Sequence, residues 1–263
     1  MSIVKSEFYK LKRSRPFLIC LSSCAIFGAF MAFAMYMGVT GGDTGFNSVA
    51  NNLSGIEMIR NSLINNFFEF FCAVFIAVFV SSEFHNGTMK NYLSKGVNRV
   101  QIYLSKLVVC SVAVLSMFVV YITASCIAGT VIWGFDPRSV FDIGNVLSVF
   151  FSECLLMFAY TSVFLLFSVC FRNYGASIGI NTCSILFLPI LLYPFNYIVN
   201  FIIGGSIKLS NYWIAYNVAS TAKLVPTGTW MEYSMISGII VSLCFIVGAT
   251  IAGSTLFKKI DIK

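Results

Sequence analysis

Charge is scarce in this chain. Of its 263 residues only 10% are Asp, Glu, Lys or Arg, while 58% are apolar; an average globular domain is about 25% charged. A soluble domain of this length has too little interior to hide that much apolar surface. Histidine is limited to His85, which leaves no material for a histidine-based metal centre or a Ser-His-Asp triad. No GxxxxGK[ST] loop occurs, so the chain does not hold ATP in the P-loop manner, and no cofactor of its own is expected. The nine cysteines all fall in apolar runs and form no CxxC pair. They read as small packing residues, and the composition excludes both intrinsic disorder and a secreted disulfide scaffold.

What is present is a set of long apolar runs. Six are expected to cross a membrane as helices, at 16–37, 62–82, 107–133, 146–171, 176–203 and 233–257. The first follows a basic segment. Its length and the lack of an A-x-A-like site make it a retained span rather than a signal peptide. The predicted fold is therefore an all-α polytopic membrane protein with one transmembrane domain over 1–263.

Basic residues set the orientation. With the N-terminus inside, 13 of the 17 Lys and Arg fall on the inner side, and four (Arg60, Arg138, Lys208, Lys223) fall in outer loops. That bias predicts both termini in the cytoplasm of a multi-pass plasma-membrane protein. It also accounts for the net charge of +7 without any nucleic-acid partner. The longest outer loop, 204–232, carries Tyr212, Trp213, Tyr216 and Trp230, which suit the membrane interface.

Two inner segments depart from the apolar pattern. In residues 1–15, Val4, Phe8 and Leu11 line one face of a helix with Lys5, Lys12 and Arg13 opposite. This predicts a basic amphipathic elbow helix in the inner interface, with Pro16 opening the first span. The second segment is the loop 84–98. Glu83 ends the second span, and Asn86-Gly87 breaks the helix. Met89, Tyr92 and Leu93 share a face of a short helix, which Gly96 stops. Asn98, with Gln101 three residues on, resembles a capping box that starts the next helix.

The run EFHNGTMKNYLSKGVNRVQIYLSK resembles the first cytoplasmic loop of permease subunits of type-2 ABC exporters. Glu83, Gly87, Thr88, Lys90, Leu93, Gly96, Arg99, Ile102, Ser105 and Lys106 fill that family's pattern in order. The resemblance implies a cytoplasmic coupling helix between spans two and three, gripped with the elbow helix by a separate ABC ATPase subunit. That subunit would bind the ATP. It also implies a second permease copy or a similar chain, because six spans make half a transporter. Met89, Tyr92 and Leu93 become the apolar side of the motor contact, with Glu83, Lys90, Lys95 and Arg99 as its polar surroundings. Antimicrobial or lantibiotic-type peptides are the first substrate class implied, followed by drugs or lipid-like molecules.

Acids inside the spans are the remaining signal. Ser62, Asn65 and Glu69 form a polar stripe on span two, read either as a helix–helix hydrogen bond or as lining for a cationic substrate. Glu153 is read either as a snorkelling residue or as a second lining group. Pro189 and Pro194 are expected to interrupt and kink span five. The rival readings are an ATP-independent secondary transporter, a peptide-binding immunity or sensor protein, and an intramembrane enzyme, for which the spans supply too few polar groups.

Overall fold

The computed structural model describes residues 3–40, 55, 58–59, 62, 67–89, 96–134, 143–203, 214 and 231–259. Within them are seven helices: α1 (Ile3–Arg13), α2 (Arg15–Thr40), α3 (Phe67–His85), α4 (Arg99–Trp133), α5 (Ile143–Phe171), α6 (Tyr174–Ile203) and α7 (Met231–Lys259). Helix is the form such runs must take, because lipid offers no partner for a free peptide N–H or C=O. Five of the helices, α2, α3, α4, α5 and α7, are long and apolar enough to cross a bilayer. The protein is an all-helical polytopic membrane protein.

Local chemistry sets the breaks. At Ser14 the α1 helix stops and α2 starts: the Ser14 hydroxyl donates to the Leu11 carbonyl at 2.8 Å, and Leu18 N–H takes the Ser14 carbonyl at 3.4 Å. Pro16 sits in the first turn of α2, where no N–H is missed. Gly87 (φ +65°) and Gly96 (φ +71°) take the left-handed conformation that glycine adopts without strain. Asn98 caps α4 by accepting from Val100 N–H at 3.1 Å. The α5–α6 hairpin turns at Arg172, whose φ of +55° is unusual for a side chain of that size.

The inner pair is α3 and α5. In their apolar windows 61% of residues are buried, against 22% for α2 and 17% for α7. Helix α2 lies along α4 and α7 along α5, while α3 touches α2, α5 and α6. Small residues set the close approaches. A Cβ on Gly28 would stand 2.7 Å from the Tyr121 carbonyl oxygen, and one on Gly253 would stand 2.1 Å from the Tyr103 hydroxyl.

One expectation changes. Helix α6 continues as helix through Pro189 and Pro194, because each proline removes a single ladder bond and the rest of a 30-residue helix carries the turn. Helix α4 begins at Arg99 behind its Asn98 cap, as expected, so its first two turns form a stem ahead of the apolar run that starts at 107. Segments 41–54, 135–142 and 215–230, expected in outer loops, lie outside the described residues.

Candidate coupling site at the stems of the polar loop

Glu7 is the only acid before Asp43, and it falls between Val4 and Leu11 on the apolar face of α1. The fold buries it completely. Lys106 occupies the equivalent position in α4, on the face of Ile102, Tyr103, Val109 and Cys110, and is 1% exposed. Glu83 lies one turn inside the end of α3 and is 6% exposed. These three segments meet. Lys106 Nζ donates to Glu7 Oε2 at 3.2 Å and to Glu83 Oε2. Lys10 Nζ, a turn along α1, donates to Glu7 Oε1 at 3.1 Å and to Glu83 Oε1 at 3.4 Å. Among the described residues these bonds join two carboxylates and two ammoniums. Burying charges is costly, and it is tolerated here because each carboxylate is bonded by both cations.

Beside the network is a cavity of about 470 Å³ between the α1–α2 break and the end of α3, lined by Lys10, Arg15, Phe79, Glu83, Asn86 and Thr88 among others. Thr88 returns its hydroxyl to the Glu83 carbonyl at 3.2 Å and closes the end of α3. From the same first turns of α4, Arg99 Nη1 donates to the Lys258 carbonyl at 3.1 Å and the Tyr103 hydroxyl to the Ala249 carbonyl at 3.4 Å. The first turns of α4 are thus held to α1, α3 and α7 together.

The predicted site residues are placed as follows. Of the N-terminal face, Leu11 is buried, and Phe8 is half-buried and packs on the core; Val4 is also half-buried. Lys90, Tyr92, Leu93 and Lys95 lie outside the described residues. Met89 is 1% exposed and belongs to the core cluster. Glu83 and Arg99 are engaged within the chain, as above. Glu7 and the partnership of Glu83 with Lys106 were missed. Two signals mark them: an acid on an otherwise apolar face, and opposite charges immediately beyond the facing ends of the apolar runs 62–82 and 107–133.

Within the membrane region Glu69 is 1% exposed and Glu153 fully buried. The snorkelling position expected for Glu153 is thereby corrected, since its helix α5 is an inner one and turns this side chain into the bundle. Tyr160, two turns from Glu153 on α5, interacts with both carboxyls. Neither Glu69 oxygen has a well-aligned hydrogen bond among the described residues, nor has the Tyr160 hydroxyl. Ser62, the start of the expected polar stripe, lies 2.7 Å from Ser125 Oγ, which in turn donates to the Gly28 carbonyl at 3.0 Å. Asn65 lies outside the described residues. Deeper polar contacts join α3, α5 and α6: Ser81 to Ser177 at 3.1 Å, and Asn181 Nδ2 to Ser168 Oγ at 3.1 Å and to the Ala73 carbonyl at 3.4 Å. Such contacts between membrane helices are each worth roughly 0.6 kcal/mol. No group of three or more metal-ligating side chains occurs among the described residues.

Long apolar helices packed around an apolar core, with an ion network at the stems of the polar loop, define a polytopic membrane protein rather than a membrane-anchored soluble domain. The family model for ABC-2 family transporter protein matches residues 3–189, from α1 through the polar loop into α6. The chain belongs to that family, which makes it the membrane component of a transporter, of the kind that works with an ABC ATPase subunit. No curated protein matches the chain.

Proposed function

We propose that the chain is the membrane-spanning subunit of an ATP-driven exporter that moves an amphipathic or hydrophobic molecule, of the antimicrobial-peptide or drug type, out of the cell. The observation that carries this reading is the family match over 3–189, which takes in the N-terminal helix and the polar loop as well as the spans. In this reading α6 is the sixth crossing, both termini are cytoplasmic, and α1 is an elbow helix in the inner interface. The loop 84–98 holds the coupling helix, and a separate ATPase subunit binds and hydrolyses ATP. Tyr92 and Leu93, with Lys90 and Lys95, form the contact with that subunit. Two permease chains, identical or similar, enclose the pathway. Glu69 and Glu153 serve a cationic group of the cargo when the bundle opens, since both are closed off from solvent here.

The test is co-purification. Leu93→Asp and Tyr92→Asp place a charge on the apolar contact. They are expected to reduce retention of the co-expressed ATPase at least tenfold, with permease yield unchanged. Undiminished retention by both variants removes the loop from the motor contact.

A further inference from the structure

The ion network joins three parts of the chain that sequence distance keeps apart: Lys106 lies 99 residues from Glu7 and 23 from Glu83. These are the N-terminal helix and the two stems of the polar loop. Apolar helix faces in a membrane slide past one another at little cost, because one hydrocarbon contact replaces another. A buried ammonium does not slide. Moving Lys106 off Glu7 or Glu83 leaves a charge in the interior with no water to meet it. Separating α1 from the stems therefore costs far more than moving all three as a body, and the best-attested use of such buried polar groups is to fix register.

We infer that Glu7 and Lys106 are positioning residues that lock α1 to α3 and α4, so that a displacement of the loop reaches α2 and α4 as a single movement. The inference deepens the proposed function and rests on the loop being the motor's contact. Lys10 doubles the link between α1 and α3, whereas the tie from α4 to α1 runs through Lys106 and Glu7. The route into α2 is short, since Ser14 alone stands between the two helices. On α4 the same turns hold α7 through Arg99 and Tyr103. The last helix is thus carried along.

A fold-holding role and a positioning role are separated by a charge-balanced pair of changes. Glu7→Gln alone takes from Lys106 one of its two carboxylates, and Lys106→Met alone takes from Glu7 and Glu83 a shared cation; both are expected to lower the unfolding temperature. Glu7→Gln with Lys106→Met removes one charge of each sign and keeps the Lys10–Glu83 bond, so stability returns towards wild type. The full-length permease is reconstituted in nanodiscs with its ATPase, and amide exchange is read before and after trapping with ATP and vanadate. In the wild type, trapping is expected to change exchange in both α2 and α4. In the double variant ATP is still hydrolysed, the trapping-dependent change in α2 and α4 falls at least fivefold, and basal exchange of residues 3–13 rises tenfold or more. A double variant with wild-type trapping response, or with wild-type exchange over 3–13, overturns the inference. Failure of the wild type to retain an ATPase instead overturns the proposed function, and the basal exchange of 3–13, read on the permease alone, then decides the lock.

Discussion

Glu69 is an acid held in the interior of a membrane bundle with both oxygens lacking an aligned partner among the described residues. A carboxylate at the centre of a spanning helix costs about 2.5–3.5 kcal/mol on insertion scales. Glu69→Gln removes the ionisable group and keeps the shape. It is expected to raise resistance to thermal unfolding in detergent, by about 1–3 kcal/mol, because a neutral amide costs less to bury than a carboxylate. ATP-driven uptake of a cationic amphipathic peptide into inside-out vesicles is expected to fall at least tenfold. Higher stability with full uptake identifies Glu69 as a packing residue alone. At this scale the sequence was uneven as a guide. Glu69 announces itself by standing in an apolar run. Glu7 does not, because a basic amphipathic helix conventionally keeps its charges outside, and only three-dimensional contact shows the acid facing inward to meet Lys106. The Glu83–Lys106 pair was visible as the two ends of a motif, but its physical meaning required the helices on either side to be antiparallel neighbours.

At the scale of elements the breaks were legible and the continuities were not. Gly87, Gly96 and Asn98 act through their own backbone and side chain, so the positive φ values and the cap of α4 follow from local chemistry. The continuation of α6 through two prolines depends on the surrounding turns and is not written in the prolines themselves. Close helix approach is also an element property. A Cβ at Gly253 meets the Tyr103 ring, with the hydroxyl 2.1 Å and Cζ 2.4 Å away. Gly253→Ala is expected to destabilise the α4–α7 contact by about 1–3 kcal/mol. Gly253→Ala combined with Tyr103→Leu is expected to regain most of it, because the shorter side chain vacates the space. Thermal unfolding of the purified protein reads both, and a double variant no better than the single one excludes the ring as the source of the strain.

At the scale of the whole molecule, apolar composition alone made a polytopic helical protein readable, since nothing else can be built from such runs in lipid. What it could not show was which helices lie inside, because α2 and α5 have similar composition and differ only in neighbours. Helix α2 presents Ile19, Ile26, Phe30 and Phe33 outward, and α7 presents Ile240, Leu243, Val247 and Ile251. These faces suit lipid or a second permease chain, whereas α3 and α5 are enclosed. The distribution of Lys and Arg adds an orientation. Epitope tags at the two ends are expected to be digested by protease in inside-out vesicles and to survive in intact cells. Digestion of the N-terminal tag on intact cells reverses the assignment and moves the ion network to the outer face, whereas digestion of the C-terminal tag alone removes α6 as a crossing.

The order in which that network is synthesised has a consequence for biogenesis. A nascent chain that has emerged only as far as α3 already carries Glu7, Lys10 and Glu83, while the cation that bonds both acids arrives later, with Lys106. The N-terminal helix therefore reaches its final seat only after the third crossing has been delivered.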